Sequence, residues 1–413
     1  NGSRSSGGPS GGPAGWLPGF IAPFLSLLGL IVIGAVSLGL MNGQLPTFGG
    51  NNGNNNNPNS TTGPNRTATP SNVVVTDPRA DVKGSILYAK DGNIWVQVAD
   101  KATQLTNGGQ DSQPTWSPDG SAIYFIREKP TSGRFITGAG LKQFDLQVPS
   151  LMKMNADGSN AQALLTGRYS PGPYLWSYFI QQPSISPDGR TAAIITDGPN
   201  PKQSDIRLKF LNLASGQIAD PHLPELGGLG QQDPAYSPDG KAIVYTKNAR
   251  EGANGIPTIV KYTIATKALR TMTGPGYIEP AWSPDGRFLA VTKTGSIGTD
   301  IVIIDARTGA EVLRVTNDDS SFNPEWSPAG DSIAFLRQVR GVIDLWVVKL
   351  VGSGPSWTVG DSFSLTIAGG LDGGSRESWF IPADQLPKPT PTPVPTLGPS
   401  VVPSGAPASP RPS

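Results

Sequence analysis

Between Gly84 and Pro382 the chain alternates short apolar runs with turn-forming residues, at strand length rather than helix length. Ala122-Ile-Tyr-Phe-Ile126, Thr191-Ala-Ala-Ile-Ile195, Ala242-Ile-Val-Tyr245, Phe288-Leu-Ala-Val291 and Ser332-Ile-Ala-Phe-Leu336 are such runs. Each follows a copy of one heptad. Pro114 to Gly120 reads Pro-Thr-Trp-Ser-Pro-Asp-Gly, and the pattern returns at Pro183–Gly189, Pro234–Gly240 and Pro280–Gly286. A worn copy, Pro324–Gly330, has Ala329 in place of Asp. The heptad serines at 117, 186, 237, 283 and 327 are 69, 51, 46 and 44 residues apart. A period of roughly 40–50 residues marks a repeat architecture.

The heptad has a physical reading. Its first Pro has no N–H to donate and suits a strand start. A large residue follows two positions on: Trp116, Ile185, Tyr236, Trp282 or Trp326. Ser-Pro-Asp-Gly is turn chemistry, with Pro fixing φ, Asp bonding the local backbone and Gly taking positive φ. Each repeat therefore opens with a β-hairpin. A second strand pair follows, as in Asp300-Ile-Val-Ile-Ile-Asp305, a turn at Arg307-Thr-Gly309, and Glu311-Val-Leu-Arg-Val-Thr316. Four short antiparallel strands per repeat make one propeller blade.

These five heptads, with the strand ends Gln104-Leu-Thr106, Leu164-Leu-Thr166 and Arg314-Val-Thr316, resemble the TolB-like family of β-propellers with WD-like repeats. The resemblance covers Gly84 to Pro382 and implies an all-β fold and a bacterial source. It does not fix a function, because propellers host many. Propellers of this repeat type often precede a serine hydrolase domain, which the 30 residues after the propeller do not supply.

Ile86–Lys90, Asn93–Val98 and Thr103–Thr106 read as the second, third and fourth strands of a blade that lacks its first. Arg376–Pro382 carries Trp379, 53 residues after Trp326. It is expected to supply the missing strand, closing six blades by pairing the two ends of the domain and removing the free sheet edge.

Outside this region the composition changes. Residues 1–15 are Gly, Ser and Pro with one charge and read as disordered. Gly8-Pro-Ser-Gly-Gly12 fits a nucleophile-elbow pattern but has no strand before it or helix after it. Trp16–Met41 has no charged residue and is long enough to span a bilayer, with Trp16 at the interface. It is expected to be a single-pass transmembrane helix, the alternatives being a cleaved signal or a core helix. Arg4, and the absence of Lys and Arg between Asn42 and Asn65, place the propeller on the extracytoplasmic side. Residues 42–81 are an Asn/Gly/Pro-rich flexible linker, 82–383 the propeller, and 384–413 a Pro/Thr-rich disordered tail.

Composition narrows the chemistry. The net charge of +1 over 413 residues leaves no basic patch for nucleic acid. There is no cysteine and one histidine, His222, which removes disulfides, thiolate sites and His-rich metal sites. No cofactor or metal site and no catalytic residue is expected. The aspartates Asp119, Asp188, Asp239 and Asp285 read as turn structure. Two features remain. The residue before each Pro is polar: Gln113, Gln182, Asp233, Glu279 and Asn323, with Arg376 in the sixth place by its spacing from Trp379. With the first strand innermost, these ring one mouth of the central channel. The repeat opened by Pro114 also has two insertions, Glu128–Pro149 and Gly167–Gln181, the latter holding Tyr169, Tyr174, Trp176, Tyr178 and Phe179. Both project on the ring's side, opposite the Ser-Pro-Asp-Gly turns. The aromatics form either an exposed recognition patch or a private core under a long loop.

The resulting expectation is a membrane-tethered, monomeric propeller that binds a protein or an envelope polymer without catalysis. The alternative is a hydrolase or lyase acting at the channel mouth with Asp233 and Glu279 as acid and base.

Overall fold

In a computed structural model that describes residues 77–224, 230–248 and 256–387, six four-stranded antiparallel sheets form a β-propeller. The first blade is built from Ser378–Phe380, Ser85–Lys90, Asn93–Val98 and Lys101–Gln104, from the inside out. The next four inner strands are Asp111–Trp116, Gln181–Ile185, Gln231–Tyr236 and Tyr277–Trp282, and the sixth is Ser321–Trp326. Each is followed by its second, third and fourth strand moving outward.

The apolar runs are the second strands. Their residues are buried on both faces: Ala192 and Ile194 pack toward the second blade, Ala193 and Ile195 toward the fourth. Six hydrophobic clusters result, one in each gap between neighbouring blades. A strand covered on both faces needs a nearly continuous apolar run, which is why these segments do not alternate with polar residues. The large residue of each heptad plugs the gap to the preceding blade: Trp116 against the first, Trp326 against the fifth, Trp379 against the sixth.

Within the turns, Ser117 Oγ donates to Asp119 Oδ1 at 2.6 Å and accepts from Ala122 N at 2.9 Å, and Gly120 sits at φ +69°. The same contacts recur at Ser186–Asp188, Ser237–Asp239 and Ser283–Asp285. Where Ala329 replaces the aspartate, Ser327 Oγ donates to Asp331 instead, at 3.0 Å. The Leu-Thr and Val-Thr strand ends also find a cause. Thr106 and Thr316 hydroxyls accept from Ile94 N and Ile301 N, near the start of their third strands. Thr273 and Thr366 do the same in the fourth and sixth blades.

Ser85, Ile86 and Leu87 pair with Phe380, Trp379 and Ser378. Residues 77–81, assigned to the linker by composition, instead include a turn of 3-10 helix, Pro78–Asp81, capped by Asp77. Leu386, assigned to the tail, packs on the cluster between the sixth and first blades. Trp16–Met41, the rest of the linker and the tail beyond residue 387 lie outside the described residues. No helix among the described residues is long and apolar enough to cross a membrane.

Candidate functional site: the axial ring and its face

Each full inner strand carries the same irregularity. Between Ser112 and Thr115 the pairing slips, so that two residues face one on the second strand. Equivalent slips follow Gln181, Gln232, Ile278 and Phe322. The bulged residue is the one before Pro, and all five lie in the left-handed region: Gln113 φ 53°, Gln182 51°, Asp233 53°, Glu279 56° and Asn323 50°. A non-glycine residue held there costs on the order of 1–3 kcal/mol. Five repetitions at one level of the propeller call for something that repays them.

That is a closed circuit of hydrogen bonds around the axis. Gln182 N donates to Gln113 Oε1 at 2.7 Å, and Asp233 N to Gln182 Oε1 at 2.9 Å. Glu279 N donates to Thr246 Oγ1 at 3.0 Å, whose own proton goes to Asp233 Oδ2 at 2.8 Å. Asn323 N donates to Glu279 Oε2 at 2.8 Å. Asn323 Nδ2 reaches Gly373 O, and Gln113 N donates to Ser375 Oγ at 3.0 Å, which completes the circuit. The bulge aims each backbone N–H along the ring, and the preceding blade's side chain receives it.

The sixth place differs from the spacing argument. Ser375 and Gly373 complete the circuit, not Arg376. The Arg376 guanidinium reaches across the axis instead, donating to Pro280 O at 2.6 Å. Counting back from Trp379 misplaces the ring because this inner strand, Ser378–Phe380, is short and lacks the Pro that anchors the bulge elsewhere.

The ring carboxylates are half-buried, and desolvation raises both. Asp233 is pushed above the usual carboxylate range; Glu279 is pushed up to about 7 by burial and then by Asp233. Their oxygens are largely spent: Asp233 accepts from Gln182 Nε2 and Thr246 Oγ1, and Glu279 Oε2 from Thr292 Oγ1 and Asn323 N. Two further acids on the axial side are not singled out by the ring pattern. Glu325 is pushed up to about 7 by burial, and Glu377 is raised well above its ordinary range, first by burial. Comparing the copies in register exposes both. Glu377 stands where the other five have Pro, and Glu325 where they have Thr115, Ser184, Ala235, Ala281 and Ser378. Among the described residues, no three His, Cys, Asp or Glu side chains gather closely enough to hold a metal ion.

The aromatic insertion resolves into packing. Glu128–Pro149 is not a loop; it prolongs the second and third strands into one long hairpin, Ala122–Thr137 with Gly140–Asn155. Arg168–Tyr169 and Trp176–Ser177 form a small ladder beside it. Trp176 lies 5.2 Å from Phe135 and 5.4 Å from Phe144, ring centre to centre, and Tyr174 lies 4.8 Å from Phe135. Tyr178 is buried between the second and third blades with Tyr169 packed against the same cluster. Of the two readings open to the sequence, the private core is the one the structure supports: Tyr178 is not a surface residue, and Trp176 and Tyr174 are half-buried.

Exposed apolar surface lies elsewhere. Inner strands run from the ring toward the Ser-Pro-Asp-Gly turns, so loops between second and third strands, and from fourth to next first strands, share the ring's face. Among the described residues eleven large hydrophobics are exposed, and seven are in these loops or at their edges: Ile136, Leu141, Ile256, Ile297, Val339, Val342 and Ile367. Ile297 is 86% exposed and Ile367 75%. The chain enters at Ser85 and leaves at Phe380 on the opposite, turn-bearing face.

No family model matches the chain, and no curated protein matches it in sequence. Solved structures do match in shape. TolB from Acinetobacter baumannii superposes with a TM-score of 0.52 at 17% identity, over 72% of this chain and 66% of that one. A chain of a nidogen/laminin complex gives 0.50 at 10% identity, over 71% and 97%. This chain thus spans about two-thirds of the length of that TolB. At these identities the likeness establishes a TolB-like six-bladed propeller fold and nothing of activity.

Proposed function

We propose that this protein is a tethered, extracytoplasmic propeller that binds a protein or envelope polymer on its ring face without catalysing a reaction. The observation that carries this reading is the segregation of exposed apolar side chains. Seven of eleven stand on the ring face, while both connecting segments leave from the other. Apolar side chains clustered on one face of a soluble domain mark an interaction surface. The tether is residues 16–41, and the pairing of Ser378–Phe380 with Ser85–Lys90 is the closure that keeps the face rigid.

The hydrolase or lyase reading rests on Glu279, whose pKa of about 7 suits proton transfer. Against it, both oxygens of Asp233 and Oε2 of Glu279 accept hydrogen bonds within the ring. The chain of similar fold in the nidogen/laminin complex is an instance of a propeller in a protein assembly.

The experiment places a photo-crosslinking residue at Ile297 or at Val98, which lies at a turn between third and fourth strands on the opposite face. In intact cells, Ile297 is expected to give discrete crosslinked adducts and Val98 none. Adducts from Val98 alone, or equal adducts from both, would overturn the assignment of the binding face.

A further inference from the structure

The gap between the sixth and first blades is unlike the other five. Its inner strand comes from the far end of the chain and is joined to its second strand by pairing alone, not by a Ser-Pro-Asp-Gly turn. It also holds the two acids that break the repeat. Glu377 is two residues before Trp379, the side chain that plugs this gap from the first blade. Strand alternation turns Glu377 toward the sixth blade. Glu325 is one residue before Trp326, which faces the fifth blade, so it turns the other way, toward the first. Both carboxyl groups thus turn into the same seam, where the charge of Glu325 disfavours ionisation of Glu377.

Glu377 is 1% exposed, and neither of its oxygens has a hydrogen-bond partner in the protein. The charged groups facing it are Glu325 from the sixth blade, Glu279 from the fifth and Arg376 from its own segment. Asp233 lies one step beyond, against Glu279. Arg376 is the cation among these groups, and its guanidinium donates to Pro280 O, with its Nε buried and unpartnered. An ionised Glu377 would be supported by its own backbone N–H and by the Arg376 charge, and opposed more strongly by burial and by two acids nearby. A protonated one leaves its O–H and its carbonyl oxygen unpartnered, a smaller penalty than a buried unpaired charge.

We propose that the Glu325–Glu377 pair is a proton-operated latch: protonated, it lets the 373–387 segment dock and close the ring, and ionised, it releases that segment. Release would uncover the Ser85–Leu87 edge, which Ser378–Phe380 caps, while Leu371 and Asp372 stay on Ala89 and Lys90, and so offer a free edge for another strand. Five gaps with Pro at this position lack the device.

The direction follows from linkage. Both acids have folded-state pKa values above their ordinary 4.5, Glu325 at about 7 and Glu377 well above its ordinary range. In the closed seam they hold protons that the open seam gives up. Closure is therefore firmest below pH 4.5, weakens from there upward, and stops weakening for each group once its raised pKa is passed. Within that window the open fraction rises about tenfold per pH unit for each group that ionises on opening.

Hydrogen exchange of the full chain, followed by mass spectrometry from pH 5 to pH 8, reads this directly. After correction for intrinsic rates, peptides covering 85–90 and 371–387 are expected to lose protection by about a hundredfold or more between pH 5 and pH 7. Peptides of the fourth blade, 242–247, serve as the internal reference and should hold theirs. Glu377→Gln is expected to flatten the seam's pH dependence by about tenfold per pH unit, and adding Glu325→Gln to remove the rest. If Glu377→Gln does not fold, Glu325→Gln alone decides, a shallower slope supporting the latch. Seam protection that does not change between pH 5 and pH 8 would overturn it, as would folded variants that keep the wild-type slope.

Discussion

The two ends of the propeller solve the same problem, turning the chain between strands, in opposite ways. At the turn-bearing end each solution is local. Ser117, Asp119, Gly120 and Ala122 satisfy one another within six residues, and the neighbouring blades repeat the arrangement without contributing a hydrogen bond to it. At the ring end each solution is borrowed. The N–H of Gln182 is met by Gln113, 69 residues earlier, and that of Gln113 by Ser375, 262 residues later. A local device leaves a sequence motif, because one repeat must carry all of its parts. A borrowed one leaves only a polar residue, and its identity varies among Gln, Asp, Glu and Asn because any acceptor of suitable reach completes the circuit.

The largest test of this contrast breaks the borrowed end. Truncation after Asp372 removes Ser375, Trp379 and the inner strand of the first blade together. Trp379 alone is 7% exposed, and losing a buried Trp costs about 3–5 kcal/mol. Truncation after Pro387 removes only residues beyond the described fold. We expect the first to abolish cooperative unfolding or lower the melting temperature by well over 10 °C, and the second to leave it unchanged. Equal melting curves would mean that Ser378–Phe380 does not close the ring.

A milder pair sharpens the comparison. Thr246 is 1% exposed and links two blades, its hydroxyl accepting from Glu279 N and donating to Asp233. Thr246→Val keeps the shape and strands both partners, which should cost roughly 2–3 kcal/mol. Ser117→Ala removes a hydroxyl that serves only its own turn, and Asp119 keeps its bonds to Ser121. It should cost about 1 kcal/mol. Acid separates them further. The hydroxyl of Ser117, then the N–H and hydroxyl of Ser121, hold the Asp119 carboxyl down to about 2. Its contribution is present above the ordinary 3.8 and fades as pH falls toward 2, a small effect at this exposed site. Chemical denaturation of both variants at pH 7 and pH 3 checks the order, and a Ser117→Ala loss exceeding that of Thr246→Val would reverse the argument.

This difference explains what was legible. Blade number, strand runs and turn chemistry are written in the five heptads, since Pro, Asp and Gly each have one local reason to be where they are. The polar level before Pro is visible too, but its left-handed bulges and its circuit are not, because they depend on where the next blade falls. Arg376 was misplaced by one such dependence: spacing from Trp379 assumes a bulge that a segment lacking Pro does not make. Glu325 and Glu377 were readable as departures from the repeat, once all six inner strands are compared position by position. Trp176 and Tyr178 attract notice in sequence because aromatics suit interfaces equally well as cores. Only the long hairpin that brings Phe135 and Phe144 to Trp176 decides between these. Ile297 and Ile367 give no sequence signal, since a lone isoleucine in a short loop looks like part of a neighbouring strand.

The smallest expected effect on stability is at those two. Ile297 lies between Thr294 and Thr299, and Ile367 follows Ser364, both on the ring face. With 86% and 75% of their surface in water, neither contributes appreciably to a core. Replacing each by Asp removes almost no buried apolar area, and surface changes of this kind fall within about 0.5 kcal/mol. The Ile297→Asp/Ile367→Asp double variant should therefore melt with the wild type. Trp176→Ala behaves oppositely: it opens a gap between Phe135 and Phe144 and should loosen the long hairpin, seen as faster exchange in 128–149. Binding inverts the ranking. A partner that covers the ring face loses two apolar contacts and meets two new charges, for which a loss of about tenfold to a hundredfold corresponds to roughly 1.4–2.8 kcal/mol. Measured on whatever the Ile297 crosslink captures, an affinity unchanged in the double variant but reduced by Trp176→Ala would move the interface from the loops of the fifth and sixth blades to the hairpin of the second.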